Sequence, residues 1–336
     1  MAPGYCDHGP TAMRVVIFGG TGFVGLNLAG TLLARGHYVT LYDRKQLPET
    51  AQRSLADHGE RLRLVRAEIL DTERIGALVA SGCDAIVLGA AITAGEHLER
   101  TATESILQIN VLAQIPILSA AIRHRVRRVI NLSSAAAYGA AGQRYRILDE
   151  ETPCDPVSFY ALSKFTSERS VARHAELWER EFLSVRLSAV FGPWERIGKV
   201  RDTPSMQFQI LAEFNRGKPA ILPEPGVKDW VYATDVAEAL AVLLEAEQPQ
   251  HRLYNISSGM EWSALQWGEA FAALYPGLQC RLAAPGEKTF VKLHGPRRAP
   301  LSVARLAQEF GWRARFGCAE SAADLSRWWT EHRGDT

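Results

Sequence analysis

The chain has 336 residues, 47% of them hydrophobic and 22% charged, with a formal net charge of +1. That is enough to bury a sizeable core as one large domain or two lobes, and it excludes an intrinsically disordered chain. The near balance of acids and bases argues against electrostatic capture of nucleic acid or of an acidic membrane surface.

Residues 1–12 contain Pro, Gly, Asp and His but no apolar core of a signal peptide. They are expected to form a disordered extension, with Met13 a second candidate for the start. Arg14 to Phe18 (RVVIF) has the composition of a buried strand, and a helix follows from about Phe23 to Arg35, closed by Gly36. Tyr38 to Tyr42, Leu62 to Arg66 and Asp84 to Leu88 supply three more strands. A helix with an apolar stripe is expected over Glu104 to His124, a fifth strand over Arg128 to Leu132, a long helix over Val157 to Trp178, and a sixth strand over Phe182 to Leu187. Strands alternating with helices imply parallel crossovers and a doubly wound α/β sheet of Rossmann type.

After Ser188 the texture changes. Loops rich in Gly, Pro and charge (192–204 and 219–228) lie around helical patterns near Ser205–Arg216 and Thr234–Glu245. Leu253 to Ile256 is expected to return to the sheet, and the stretch from Ser263 reads as helices with short links. No run approaches the roughly 20 apolar residues that span a bilayer. Cys6, Cys83, Cys154, Cys280 and Cys318 show neither metal-ligand nor disulfide spacing. A soluble cytoplasmic protein with no metal is expected.

Gly19, Gly22 and Gly25 in GGTGFVG, with Phe23 and Val24 between them, join the first strand to the first helix. Glycine there permits positive φ and close approach of the backbone to a pyrophosphate, and the helix start offers free N–H groups. In that strand–turn–helix context the triplet points to dinucleotide binding. Asp43 ends the second strand, where a carboxylate can accept both ribose hydroxyls and favours NAD. The adjacent Arg44 can pair with an extra phosphate and leaves NADP open.

Tyr160 and Lys164 stand at i and i+4, on one face of the long helix. A phenol is a poor base at neutral pH, but a nearby ammonium favours the phenolate. Tyr160 can then take a proton from a substrate hydroxyl while hydride leaves the same carbon. Ser133 and Ser134 follow RVINL at a strand end, where a hydroxyl can orient that substrate oxygen.

With these motifs the chain resembles the extended short-chain dehydrogenase/reductase family, in particular its NAD-dependent epimerase/dehydratase group. The matching segments run almost end to end: GGTGFVG, NLSSAAAYG (131–139), FYALSK (159–164), RLSAVFGP (186–193), VKDWVYATDVA (227–237) and LAQEFGW (306–312). The resemblance implies that Ser134 is the catalytic hydroxyl, with Ser133 a weaker neighbour. It implies that Glu68 and Ile69 lie against the adenine, that Leu88, Gly89 and Ala90 line the cofactor, and that Asn110 matches an asparagine of structural or functional use. It also implies a homodimer built on the helices over Glu104–His124 and Val157–Trp178.

Departures narrow the chemistry. Ala135 and Ala136 replace the Asp-Glu pair of the family's dehydratases, and Trp194 replaces the His of its 3,5-epimerase/reductases. Ala189 replaces an Asn, and Lys228 an Arg, that contact the sugar diphosphate in nucleotide-sugar enzymes. Candidate substrate residues are Ser133, Ser134, Ala189, Trp194, Arg201, Lys228 and Arg298, with Arg196, Lys199, Arg297 and Trp230 as neighbours. The basic set suits an anionic carbohydrate. The first reading is a nucleotide-sugar 4-epimerase working through a transient ketone. The alternative is a dehydrogenase or reductase of a free sugar, sugar acid or other secondary alcohol. A dinucleotide-sensing module without turnover is the remote third. The expected organisation is a dinucleotide-binding domain over 13–188, rejoined by 229–258, and a substrate lobe made of 189–228 and 259–336.

Overall fold

The computed structural model describes residues 12–198, 200–295 and 297–332. The expected extension before residue 12, Cys6, Lys199 and the last four residues fall outside the described residues.

Seven parallel strands form the central sheet: β1 (Arg14–Phe18), β2 (Tyr38–Asp43), β3 (Leu62–Arg66), β4 (Ala85–Leu88), β5 (Arg128–Ser134), β6 (Glu181–Leu187) and the returning strand Leu253–Ile256. Their spatial order is Leu253–Ile256, β6, β5, β4, β1, β2, β3. All six pairings are parallel. β1, β4, β5 and β6 are apolar and buried nearly throughout, as strands covered on both faces must be. β3, at the edge, carries Arg63 and Arg66 and is largely exposed.

On one face, Leu26, Leu28 and Leu32 of the helix Phe23–Ala34 pack with Val236, Leu240 and Leu243 of the helix Ala233–Glu245. On the other, Ile75, Ile117, Leu118 and Val171 close the second layer over Val16, Ile86 and Val129. The chain runs outward from β1 to β2 and β3, then crosses back to β4. Strand order therefore reverses between β1 and β4, where the crevice of a doubly wound sheet opens.

A third core, built on Phe191, Met206, Phe214, Trp230, Trp262, Trp267, Phe271 and Trp329, belongs to the chain beyond the sheet. There the short strands Ala189–Phe191 and Trp230–Tyr232 pair in parallel, as do Ala220–Leu222 and Cys280–Leu282.

Several expectations shift. β5 continues to Ser134, so both serines are strand residues. The expected helix over Glu104–His124 runs from Thr103 to Arg123 with a π turn at Gln108–Leu112. The reason is Asn110: its side chain turns inward, accepts from Ile92 N at 2.7 Å and donates to Ile92 O at 3.0 Å and Ser163 Oγ at 2.9 Å. This 21-residue helix is also long and apolar enough, by length and composition, to cross a bilayer, contrary to expectation. Here it packs against the helices Thr72–Ala80 and Phe159–Leu177. The stretch after Ser263 includes Ala264–Ala272, Ala304–Phe310 and Cys318–Glu331 as helices, but Cys280–Leu282 is a strand, and the described residues of 283–303 have neither helix nor strand.

Candidate active site

The crevice at the β1/β4 switch opens into a cavity of about 870 Å³, lined from the glycine-rich loop at one end to Lys228, His294 and Arg298 at the other. At the glycine end the backbone itself requires glycine. Gly19 has φ +77°, and a Cβ there would lie 2.6 Å from Ala90 N; a Cβ on Gly25 would lie 2.7 Å from the carbonyl oxygens of Gly19 and Gly20. Gly22 caps the helix Phe23–Ala34 with no side chain on its first turn, which leaves N–H groups for an anion. The cradle thus fits a dinucleotide pyrophosphate.

Asp43 sits beside it, with Oδ2 accepting from Thr21 N at 3.2 Å and Oδ1 from Lys45 N at 3.0 Å. Each oxygen keeps a further lone pair for a ribose hydroxyl. Arg44 is exposed at the rim, where its carbonyl accepts from Arg66 Nε at 3.3 Å. Glu68 and Ile69 line the same end, and the Glu68 carbonyl accepts from the Tyr42 hydroxyl at 2.9 Å. Gly89 and Ala90 line the wall after β4. Leu88 does not: it is 2% exposed and packs in the core, because the last strand residue points into the helical layer.

Ser134, Tyr160 and Lys164 meet at the middle of the cavity. Two caps fix the helix Phe159–Leu177 that carries the last two. Ser158 Oγ accepts from Ala161 N at 3.1 Å, and Glu99 Oε1 accepts from Tyr160 N at 2.9 Å. Lys164 is buried and donates from Nζ to Leu132 O at 2.8 Å, which ties the helix to β5. Its Nζ is 5.9 Å from the Tyr160 ring centroid. Burial holds the Lys164 ammonium down at about 8, against the opposing pull of Glu168. Burial raises the Tyr160 phenol, while hydrogen bonds from the Ser134 and Thr93 side chains and the charge of Arg201 work to lower it.

Ser133 lines the cavity, but its hydroxyl is taken by a buried partner. Successive strand residues face opposite sides, so with Ser134 turned to the cavity, the Ser133 hydroxyl donates to Glu168. Glu168 in turn holds Arg186 through Nε at 3.0 Å and Nη2 at 2.7 Å, with both side chains buried. The spacing of Glu168, four residues after Lys164, carried a signal for this; nothing in the sequence singled out Thr93, Glu99 or Glu195.

A strap made of residues 193–198 and 200–205 crosses the cavity. Asn27 Nδ2 donates to Pro193 O at 2.8 Å, and Arg196 Nη2 to Thr21 O at 2.6 Å, which ties one side to the glycine-rich loop. Thr93 N donates to Val200 O at 2.8 Å, and Gly95 N to Asp202 Oδ1 at 2.6 Å, which ties the other side to the loop after β4.

The basic residues of the far end are already paired. Lys228 Nζ donates to His294 O at 2.6 Å, and burial and Arg298 bring its ammonium down to about 8. Arg298 bridges buried Asp229 at 2.9 Å and donates to Ser188 Oγ at 2.7 Å. Arg201 pairs with Glu195 at 2.8 Å. Arg297 is exposed and does not line the cavity. Trp194 lines it while packing edge-on against Trp328 and His332, with centroids at 5.3 and 5.1 Å. Ala189 and Trp230 line it, Trp230 as part of the core beyond the sheet. Burial raises the thiols of Cys83, Cys154 and Cys318 to about 11 and of Cys280 to about 12, which makes them poor nucleophiles.

The model of the NAD dependent epimerase/dehydratase family matches residues 15–257. The chain belongs to this family. Among curated relatives, it is 25% identical over 320 residues to a UDP-glucose 4-epimerase of Mycolicibacterium smegmatis, covering 93% of this chain and 96% of that one. It is also 25% identical to a dTDP-glucose 4,6-dehydratase of Streptomyces niveus, over 96% of this chain and 94% of that one. Among solved structures, the UDP-glucose-4-epimerase of Stenotrophomonas maltophila, crystallised with NAD and formylated UDP-arabinopyranose, has the same fold. Its TM-score is 0.81 and its identity 22%, with 96% of this chain and all of that one covered.

Proposed function

We propose that this protein is a NAD-dependent nucleotide-sugar 4-epimerase. The carrying observation is the meeting of Ser134, Tyr160 and Lys164 midway along a cavity whose one end is a glycine cradle fit for a pyrophosphate. Residues 13–188 with 229–258 would hold the cofactor, and 189–228 with 259–336 the sugar nucleotide.

Bound NAD, held by Gly19, Gly22, Gly25 and the helix start behind them, supplies a hydride acceptor that later returns the hydride. Asp43 favours it over NADP by accepting the ribose hydroxyls. Tyr160 takes the proton of the sugar hydroxyl as the ketone forms and gives it back on reduction. Ser134 orients that oxygen, and Lys164 favours the phenolate. Room for the ketone to turn inside the cavity would present either of its faces for reduction. Ala135 and Ala136 follow Ser134, so the elimination carried out by an acid–base pair at those positions has no carboxylate there.

The second reading, a dehydrogenase or reductase of a free sugar, sugar acid or other secondary alcohol, draws support from the pairing of Lys228 and Arg298 within the protein, which leaves less free charge for a diphosphate. Incubation with UDP- or dTDP-hexoses separates the two. Interconversion of 4-epimers with the bound dinucleotide staying oxidised is the expected result. Stoichiometric accumulation of free NADH, without interconversion, overturns it in favour of the second reading. Tyr160→Phe should lose at least about 100-fold in rate, and unchanged turnover refutes the assignment.

A homodimer belongs to the same reading. Leu107, Leu112, Phe159 and Leu162 on the helices Thr103–Arg123 and Phe159–Leu177 are exposed apolar side chains, which supports pairing through those helices. The four described cysteines are free thiols, which supports a reducing, cytoplasmic setting.

A further inference from the structure

The helix Cys318–Glu331 belongs to the core beyond the sheet, where its Ala322, Leu325 and Trp329 are buried. The Tyr232 hydroxyl donates to its Asp324 Oδ2 at 2.9 Å and anchors it there. The end of this helix reaches the cleft. The Trp328 ring stacks on that of His332, the C-cap residue, with centroids at 4.5 Å and planes 8° apart, and both rings meet Trp194 edge-on, at 5.3 and 5.1 Å. The stack is fixed by hydrogen bonds. His332 Nδ1 donates to Trp328 O at 2.8 Å, and Nε2 pairs with the Ser54 hydroxyl at 3.2 Å. Ser54 lies on the helix Glu49–Leu55, whose Ala51 and Leu55 share a core with the helix Phe23–Ala34.

Trp194 holds φ at +66°, a region that favours glycine. It lines the cavity between the two ties to the glycine-rich side, Pro193 O to Asn27 and Arg196 to Thr21 O. We propose that Trp194 is a positioning residue for the bound dinucleotide, braced by the Trp328–His332 stack, so that the helix Cys318–Glu331 ties the lobe beyond the sheet to the grip on the cofactor. This rests on the reading of the glycine cradle as a dinucleotide site and does not depend on which alcohol is oxidised.

A non-glycine backbone at positive φ persists only while its surroundings hold it. Pro193 and Arg196 stand one and two residues from Trp194, so a turn of that backbone moves both groups that tie the chain to the phosphate-binding helix and its loop. The two rings also stand at a joint. Trp194 packs at the edge of the core that holds the helix Phe23–Ala34, and Trp328 at the edge of the core beyond the sheet. Their contact is a place where loosening one body is felt by the other. Trp329, the next residue, serves the lobe alone as a comparison: it is buried against Phe271 and Tyr275, with centroids at 5.5 and 5.1 Å.

The test follows release of dinucleotide from the full-length, NAD-loaded protein on dilution into an NAD-scavenging mixture. No sugar is needed, so a wrong reading of the reaction does not blur the result. Trp328→Leu is expected to speed release about three- to tenfold, the span of a lost edge-on aromatic contact. His332→Leu should act in the same direction. Trp194→Leu should do at least as much, and adding Trp328→Leu to it should change little, because both act through one contact. Trp329→Phe should lower the unfolding midpoint and leave release unchanged. An unchanged rate in folded Trp328→Leu overturns the proposal, as do additive effects in the double variant or a Trp329→Phe protein that releases as fast as Trp328→Leu. If Trp328→Leu does not fold, His332→Leu decides by the same criterion. A parent protein that binds no dinucleotide sinks the cofactor reading and this proposal together; one that binds it and releases it at the same rate in every variant sinks this proposal alone.

Discussion

Glu168→Ala would remove the carboxylate that is hydrogen-bonded to Arg186 inside the protein. The Arg186 and Glu168 side chains are 4% and 5% exposed. Glu168 accepts from Arg186 Nε and Nη2 and from Ser133, and the guanidinium carbon lies 4.4 Å from the Tyr138 ring centroid. Burial works to lower the pKa of Arg186, yet its hydrogen bond and charge interaction with Glu168 more than offset this and raise it. Without Glu168 that cation is buried beside Tyr138 with no ion-pair partner, a change that costs about 3–5 kcal/mol. Chemical denaturation should read that loss directly, and the melting temperature should fall by about 4–7 °C. The double variant Glu168→Leu with Arg186→Met removes both charges and should recover most of the loss, since a desolvated pair is worth little against apolar packing. The reasoning is refuted if Glu168→Ala costs under about 1 kcal/mol, or if the double variant is no more stable than the single one.

Gly19→Ala should abolish copurified dinucleotide, measured by absorbance after denaturation, and cost about 1–2 kcal/mol of stability because φ is +77° there and the Cβ would meet Ala90 N. Lys228→Met has a sign fixed by linkage. Burial lowers the ammonium from 10.5 to about 8, so between those values the unfolded chain binds more protons and stability contributed by this group rises with pH. The variant should therefore compare best with the parent in urea unfolding near pH 7 and worst near pH 10; a pH-independent difference would contradict this. Arg196→Ala cuts the tie to Thr21 O and should speed release of bound dinucleotide by about tenfold, the loss of one charge-assisted hydrogen bond, read by dilution into an NAD-scavenging mixture.

The sheet was legible because each strand is a short apolar run closed by a turn, and burial on both faces leaves such runs little choice. RVVIF and LYNI fall on the expected residues for that reason, and LRLVR does so too although that edge strand is largely exposed. The catalytic trio was legible because Tyr160 and Lys164 share a helix face and Ser134 ends a strand. Three kinds of fact were not. Both serines line the cavity, but strand parity meant that only one of their hydroxyls could stay free in it, and which one depended on where the pleat of β5 stood relative to the helix above. The inward turn of Asn110, which drives the π turn, is a contact with Ile92 far along the chain and leaves no period to read. The charge on the basic residues was visible, but its pairing was not. Arg201, Lys228 and Arg298 looked free for an anion, and each is held by an acid or a carbonyl distant in sequence or across the strap.

The strap also bears on the choice between the two reactions. A dehydrogenase must release a reduced dinucleotide in every cycle, so its binding cleft has to open at least as fast as it turns over. An epimerase returns the hydride to the same substrate and has no need to exchange the cofactor. In this protein the strap is tied to both walls of the cleft: Pro193 and Arg196 to the glycine-rich side, Val200 and Asp202 to the side after β4. Opening it breaks those ties together and also parts Arg201 from the Phe23 ring at the start of the phosphate-binding helix. A cleft closed in this way favours chemistry that keeps its cofactor.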